Sequence, residues 1–351
     1  MKLHRRRKVE FSPLESGSLI HYVLEYMVKK YAAGGEALPK EKELRAEICA
    51  LIDDYLSERI QDTGGVDSRF RYLYTRLVNT LCRLVRRLCE EFSQSRFRPY
   101  AFELPISADA ANKPVVLQTP GGNTVFVQGI VDRVDLLQDQ RGKYLRVVDY
   151  KSGAKTFHLT DVYYGLNMQM LIYLFALSQN GEQPLRGAFP AGVLYMPARE
   201  GVLSVERGTP PEQIAAERDK GYKMNGLLID NISVLCDMEE GLSGLFIPAK
   251  LNRDGSLDKT SKVAGLEEFG RLCRHINRLV CQMADRLIEG KVGALPASGL
   301  GYDPCRYCDY KTICRREAQG AKRNLQEMSR QELMEELKRE EESAVGQCTL
   351  D

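Results

Sequence analysis

Residues 146–155, RVVDYKSGAK, end a strand-like run with an acid and a lysine two residues apart, just before Gly153. Alternation along a strand sends Asp149 and Lys151 to one face and Tyr150 to the other. A second acid, Asp132 in GIVDRVD, stands in the same kind of position in a neighbouring run. Two carboxylates at the ends of adjacent strands hold a hard cation through oxygen, and an ammonium on the same face polarises a water or steadies a negative transition state. With no soft ligand in the pattern, the cation is Mg²⁺ or Mn²⁺. This is equipment for hydrolysing a phosphodiester. Asp135, three residues after Asp132, falls on the opposite face of a regular strand and ranks second. D-x-K is also a short pattern, and an acid beside a lysine is commonly a surface ion pair of little energetic weight. The flanking apolar runs LRVV and FVQGIV favour the first reading, because they put the acids at the ends of buried strands, where unpaired charge is costly.

The elements that must position these residues are legible as periodicities. Residues 16–31, SGSLIHYVLEYMVKKY, carry the apolar stripe of an amphipathic helix, with Ser16 and Ser18 as cap candidates. Two further helices are expected over 40–60 and 70–92, the second with Arg76, Arg83, Arg86 and Arg87 among its leucines. The texture then turns to β: YAFELPI, TVFVQGIVDRVDLLQ, YLRVVDYK and GAFPAGVLYMPA are short apolar or alternating runs between Gly, Asn and Pro turns. Between the last two, residues 165–179 are long and apolar enough for a buried helix crossing over the sheet. Residues 201–265 are polar and Gly-rich, with a strand-like GLLIDNISVL inside, and read as an insertion. A helix over 266–289 is closed by Gly290. The charged tail begins a helix with a capping box at Ser329 and Glu332 and is expected to be peripheral.

The chain has 351 residues, 43% hydrophobic and 28% charged, enough for a large core and inconsistent with disorder. A formal charge of +2 gives no global field, so a nucleic-acid partner would be held by local basic clusters. No apolar run approaches the ~18 residues of a spanning helix and no hydrophobic segment follows the basic opening, so a cytoplasmic protein with no membrane partner is expected. Ten cysteines then suggest reduced thiols plus a metal site. Cys305, Cys308 and Cys314 form C-x₂-C-x₅-C, three ligands where a zinc site or a cubane of four irons and four sulfurs needs four. Cys49, Cys82, Cys89, Cys273 and Cys281 lie in apolar helical contexts and read as core fillers.

GIVDRVD, VVDYKSG and NMQMLIYLFAL resemble the successive motifs of RecB-like nucleases of the PD-(D/E)XK superfamily, and CRYCDYKTIC is similar to the nuclease end of AddB-type subunits of helicase-nucleases. The resemblance implies an α/β restriction-endonuclease-like core, a mixed sheet flanked by helices, with helical N- and C-terminal additions. It implies metal ligands at His21, Asp132, Asp149 and the Tyr150 carbonyl, a catalytic Lys151, and an orienting Q-x-x-x-Y pair, Gln169 and Tyr173, on one helix face. His21 also reads as an ordinary helical histidine, and Gln169 and Tyr173 as a pair satisfying each other. For Cys305, Cys308 and Cys314 it implies an iron-sulfur (4Fe-4S) cluster whose fourth cysteine lies before His21, in a segment expected to precede this sequence; a structural zinc knuckle is the alternative.

The expectation is thus one nuclease domain over 1–351: a helical part (16–100), catalytic core (101–200), insertion (201–265), C-terminal helix with cysteine cluster (266–323) and tail (324–351). Its activity would be Mg²⁺-dependent exonucleolytic hydrolysis of single-stranded DNA during double-strand break processing. No G-x-x-x-x-G-K-[ST] pattern occurs, so unwinding would fall to an AddA-type helicase-nuclease partner or a region outside this sequence. Arg133, Lys155, Tyr163 and Tyr164 are the nearest basic and aromatic candidates for a DNA passage, or else solvated surface. A non-catalytic scaffold and a nuclease of CRISPR adaptation are the competing readings.

Overall fold

The computed structural model of the chain describes residues 13–59, 68–153, 156–199, 201, 203–291, 293–314 and 320–348. Its helical first part follows the apolar spacing. Helix α1 (Pro13–Met27) runs into a π-turn (Val28–Ala33) and buries Leu19, Ile20, Val23, Leu24 and Met27, the stripe read from the sequence. Helices α2 (Glu41–Arg59) and α3 (Ser68–Gln94) pack beside it, with Leu44, Ile48, Ile52, Leu81, Leu84 and Leu88 fully enclosed.

Ten strands follow in chain order among the described residues: β1 (Arg98–Ile106), β2 (Val115–Gln118), β3 (Thr124–Val127), β4 (Gly129–Asp139), β5 (Gly142–Lys151), β6 (Phe189–Pro197), β7 (Asn225–Ile229), β8 (Val263–Ala264), β9 (Ala297–Ser298) and β10 (Arg323–Asn324). Six of them form the main sheet in the order β1-β4-β5-β6-β7-β8. The β1/β4, β4/β5 and β6/β7 pairs are antiparallel, β5/β6 and β7/β8 parallel. The parallel β5/β6 step needs a crossover. A short helix α4 (Leu159–Tyr163) and the buried helix α5 (Gln169–Asn180) supply it, α5 lying on β5 and β6. The expected α/β mixed sheet with flanking helices is the observed architecture.

The continuous run expected over 124–138 is divided at Gln128. Its first part, β3, pairs with β2 in a separate hairpin, while β4 enters the main sheet. Gly129 sits at the division, and a β-carbon there would lie 2.0 Å from the Tyr173 hydroxyl oxygen, so the glycine admits α5 against the backbone.

Two further expectations are corrected. The 201–265 segment is not merely an insertion, because β7 and β8 are hydrogen-bonded into the main sheet; only helix α6 (Pro211–Lys220) buries no residue. GLLIDNISVL is half strand and half helix: Asn231 accepts a hydrogen bond from the Val234 amide and so caps helix α7 (Ile232–Met238) directly after β7. The tail is not peripheral either. Helix α8 (Leu266–Ile288) comes next, then a short helix α9 (Lys311–Cys314), and helix α10 (Arg330–Cys348) lies across α8 with Leu333 and Leu337 buried. The four-residue spacing of these leucines makes one apolar face, and Glu340 and Glu341 pair with Arg278, Arg271 and Arg274 beside it. The Ser329–Glu332 capping box forms as expected.

If α10 belongs to the core, Leu333→Ala costs about 2–5 kcal/mol in urea denaturation. A change within about 0.5 kcal/mol contradicts the packing described.

Candidate active site

The β4/β5 register determines the geometry of the site. Arg133 pairs with Val148 and Asp135 with Arg146, so these side chains share the face turned toward α3. There Glu91, Arg133, Asp135 and Arg146 are buried together. Arg146 Nε donates to Asp135 Oδ2 (2.8 Å) and its Nη2 to Glu91 Oε1 (2.6 Å); Arg133 Nη2 donates to Asp135 Oδ2 (3.1 Å). Two guanidiniums against two carboxylates leave this buried quartet formally neutral. Arg133 Nη1 also donates to the Tyr150 hydroxyl at 2.9 Å, and burial pushes that hydroxyl's pKa up to about 12. Arg133 is therefore neither a DNA-passage residue nor solvated surface: alternation places it inside, where the acids hold it.

The opposite parity reaches the candidate site. One step beyond the last β4/β5 pair stand Asp132 and Asp149. Asp132 Oδ2 accepts from the Tyr150 amide at 3.0 Å. Asp149 Oδ2 lies 2.5 Å from Lys151 Nζ, out of line for a hydrogen bond, and Lys151 Nζ stands 5.8 Å from the centre of the Tyr195 ring. From α1, His21 reaches in with its ring edge-on to that of Tyr150. Its Nε2 is 3.1 Å from the Tyr150 carbonyl oxygen and 3.5 Å from Asp132 Oδ2, and its Nδ1 is 3.2 Å from Glu103 Oε1. Burial, the largest influence, would lower the His21 pKa, but the Glu103 hydrogen bond and the Asp132 charge outweigh it and hold the imidazole above its ordinary value. The Asp132 carboxyl is raised to about 6, first by burial and then by the charge of Asp149.

Glu103 in AFELPI reads from the sequence as a candidate for an outer acidic role, outside the expected ligand set. Phe102 pairs with Arg133 and Leu104 with Val131, which sets Glu103 opposite Asp132. Alternation along AFELPI carried this signal, but only the register reveals which acid it faces. Its φ of +45° is rare for a residue with a β-carbon, and such strain gathers at functional sites.

Among the described residues, His21, Glu103 and Asp132 are the group whose ligand atoms all lie within 4.8 Å of one another. Ligands at about 2.1 Å from a Mg²⁺-sized ion sit roughly 3 to 4 Å apart, so the donor set, with the Tyr150 carbonyl beside it, fits a hard divalent cation. The like-charged acids have a physical use for one, since Lys151 is the ammonium beside them.

Other sequence candidates are arranged differently. Gln169 Nε2 donates to the Tyr173 hydroxyl at 2.9 Å, so this pair satisfies itself, as its simpler reading held. Tyr163 stacks on His275, ring centres 5.2 Å apart, and the Tyr164 hydroxyl accepts from the Gln326 amide; both are engaged by α8 and the segment before α10 rather than by the acids. Lys155 lies outside the described residues. Cys305, Cys308 and Cys314 lie along a 3₁₀ turn (Pro304–Tyr307) and α9, with Cys305 half-buried and the other two exposed. Cys82, Cys273 and Cys281 are buried, and Cys49 and Cys89 half-buried.

Acids at the ends of two antiparallel strands, a lysine two residues on and a crossover helix behind them also characterise a known class. The family model described as the PD-(D/E)XK nuclease superfamily matches residues 1–315, and the chain belongs to that family. Its relatives include a subunit of the ATP-dependent helicase/deoxyribonuclease of Clostridium tetani, 30% identical over 322 residues, which cover 90% of this chain and 28% of that protein. The like-named protein from Symbiobacterium thermophilum is 34% identical over 90% of this chain and 27% of its own length. The chain thus spans less than a third of these relatives. Among the described residues no helix is long and apolar enough to cross a membrane.

Removing one member of the buried quartet tests the face opposite the site. Asp135→Asn leaves buried guanidiniums uncompensated and is expected to lose about 3–5 kcal/mol of stability by chemical denaturation. A loss below about 1 kcal/mol would show that the quartet does not hold β4 and β5 to α3.

Proposed function

We propose that this chain is a nuclease domain that hydrolyses phosphodiester bonds of single-stranded DNA with Mg²⁺ or Mn²⁺ as cofactor. The convergence of His21, Glu103, Asp132 and the Tyr150 carbonyl, with Asp149 and Lys151 alongside, carries the reading. Asp132, Asp149, His21 and the Tyr150 carbonyl would hold the cation, with Glu103 as an outer carboxylate. When bound, the cation neutralises phosphate oxygens and acidifies a water. Water oxygen would attack phosphorus in line, giving up a proton to solvent, as the bond to the leaving oxygen breaks and that oxygen takes a proton from solvent. Lys151, released from Asp149, stabilises the negative charge that develops. Tyr195, buried against Lys151, limits where that ammonium goes. Gln169 and Tyr173 support the site indirectly, by fixing α5 against Gly129 at the start of the strand that carries Asp132.

The relatives' names, which make them parts of an ATP-dependent helicase/deoxyribonuclease, support work on DNA beside a helicase; we extend this to exonucleolytic work in the bacterial cytoplasm on DNA unwound by an AddA-type partner, as in double-strand break processing. Cys305, Cys308 and Cys314 would then furnish three ligands of a 4Fe-4S cluster, completed by a ligand outside this trio.

Labelled single-stranded DNA incubated with the chain and Mg²⁺ is expected to be degraded, with EDTA abolishing the reaction. Asp149→Ala and Lys151→Ala should each slow it by about 100–1,000-fold or more. Undiminished cleavage by Asp149→Ala, or a parent chain that binds DNA without cutting it, would overturn the proposal in favour of a scaffold. For the cysteines, each Cys→Ser change should reduce iron and acid-labile sulfide retained after anaerobic reconstitution by about tenfold; equal retention contradicts the ligand assignment.

A further inference from the structure

At the far side of the sheet from Glu103 lies a cleft of about 310 Å³ lined by Lys223, Asn225, Lys250, Thr260, Ser261 and Lys262, among others. Its charge is one-sided. Lys250 has Asp258 at 3.4 Å, but among the described residues neither Lys223 nor Lys262 has a carboxylate within 4 Å. Lys262 is half-buried, and its Nζ reaches only the Asn225 side-chain oxygen at 3.4 Å, which already accepts from the Phe157 amide. Burial, and then the neighbouring charge of Lys223, push the Lys262 pKa down. Among the described residues Asp258 answers Lys250 alone, and an anion relieves the two ammoniums left without a carboxylate.

The register says which anion. Asp149 pairs with Tyr195 on β6, and Tyr195 with Asn225 on β7, so Asp149, Tyr195 and Asn225 occupy one transverse row and one face of the sheet. Two strand spacings of about 4.8 Å put Asn225 about 10 Å from Asp149. That is about three nucleotides at a stacked rise of 3.4 Å. The Thr260 and Ser261 hydroxyls on the cleft wall are already engaged, donating to Asp258 Oδ1 and to the Lys250 carbonyl.

We propose that Lys223, Lys250 and Lys262 form a phosphate-binding subsite for a nucleic-acid strand that passes over the segment covering buried Tyr195 and Phe157 to reach the acid cluster. The inference rests on the nuclease reading for the direction of the strand, but its test does not need hydrolysis. Binding of a fluorescent single-stranded oligonucleotide is followed by anisotropy in EDTA between about 50 and 200 mM salt. Two lost phosphate contacts at about 0.7 each should flatten the slope of log K against log salt by about 1.4 in Lys223→Gln/Lys262→Gln. Affinity should fall at least tenfold. Lys250→Gln, at an exposed position, should lose about half as much slope, and Lys262→Arg should keep it. If the double variant does not melt cooperatively, these last two carry the test.

Slopes and affinities equal to the parent's in Lys223→Gln/Lys262→Gln and Lys250→Gln overturn the subsite. Lysine-dependent binding of inorganic phosphate without a lysine-dependent oligonucleotide slope overturns it as well, reducing the cleft to a small-anion site. A chain that binds the strand through these lysines yet never cuts it retains the subsite and sinks the nuclease reading; one that cuts DNA while its binding ignores the lysines does the reverse.

Discussion

Two adjacent antiparallel strands with strict alternation sort the charges of this protein into two compartments, and the rest of the structure follows from that sorting. Odd and even positions of GIVDRVD and LRVVDYK cannot share a face. Arg133, Asp135, Arg146 and Tyr150 are sent toward α3, where Glu91 completes a neutral, enclosed quartet. Asp132, Asp149 and Lys151 are sent the other way, to a place where acid outweighs base. A slip of one residue in the β4/β5 register would turn one strand's side chains over and mix the compartments, separating Asp135 from Arg146. The quartet acts as a register lock, because any other pairing leaves buried guanidiniums without their carboxylates.

The lock also serves the site it does not touch. Tyr150 belongs to both compartments: its hydroxyl is held by Arg133, and its backbone amide and carbonyl meet Asp132 and His21. Holding the ring therefore holds the peptide beside the acids. Glu103, opposite Asp132 on β1, and His21, from a helix early in the chain, close the cluster. The elevated pKa values of Asp132 and His21 express one condition, neighbouring carboxylates in a partly buried cluster, which suits it to a cation. Along the same transverse row the sign reverses at Asn225 and the lysines near it. On the proposed reading, a polyanion approaching from this end would meet attraction before the acids, which would take up a cation first.

Much of this was legible in the sequence where periodicity carried it. The stripe of α1, the opposite orientations of Asp149 and Tyr150, and the burial of α5 follow from spacing alone. What escaped needed partners distant in sequence. Arg133 looked like a basic residue beside an active site, and only the approach of α3 and Arg146 explains its burial. Glu103 was legible as a candidate outer acid, but only the β1/β4 register sets it against Asp132. Strand β8, two residues long, was hidden in a polar segment, and the strand-like GLLI gave no sign that β7 joins the main sheet beside β6. The charged tail concealed its two core leucines among glutamates. The lysine cleft gathers residues from 223, 250 and 262, a convergence no local pattern announces.

The account turns on one claim, that the acids at the ends of β4 and β5 share a cation. Crystals of the chain soaked in Mn²⁺ and measured at the manganese absorption edge test it directly. The expected result is an anomalous peak about 2.1–2.3 Å from carboxylate oxygens of both Asp132 and Asp149 and from the Tyr150 carbonyl. Density at saturating Mn²⁺ that shows no such peak, or one bound by neither aspartate, contradicts it.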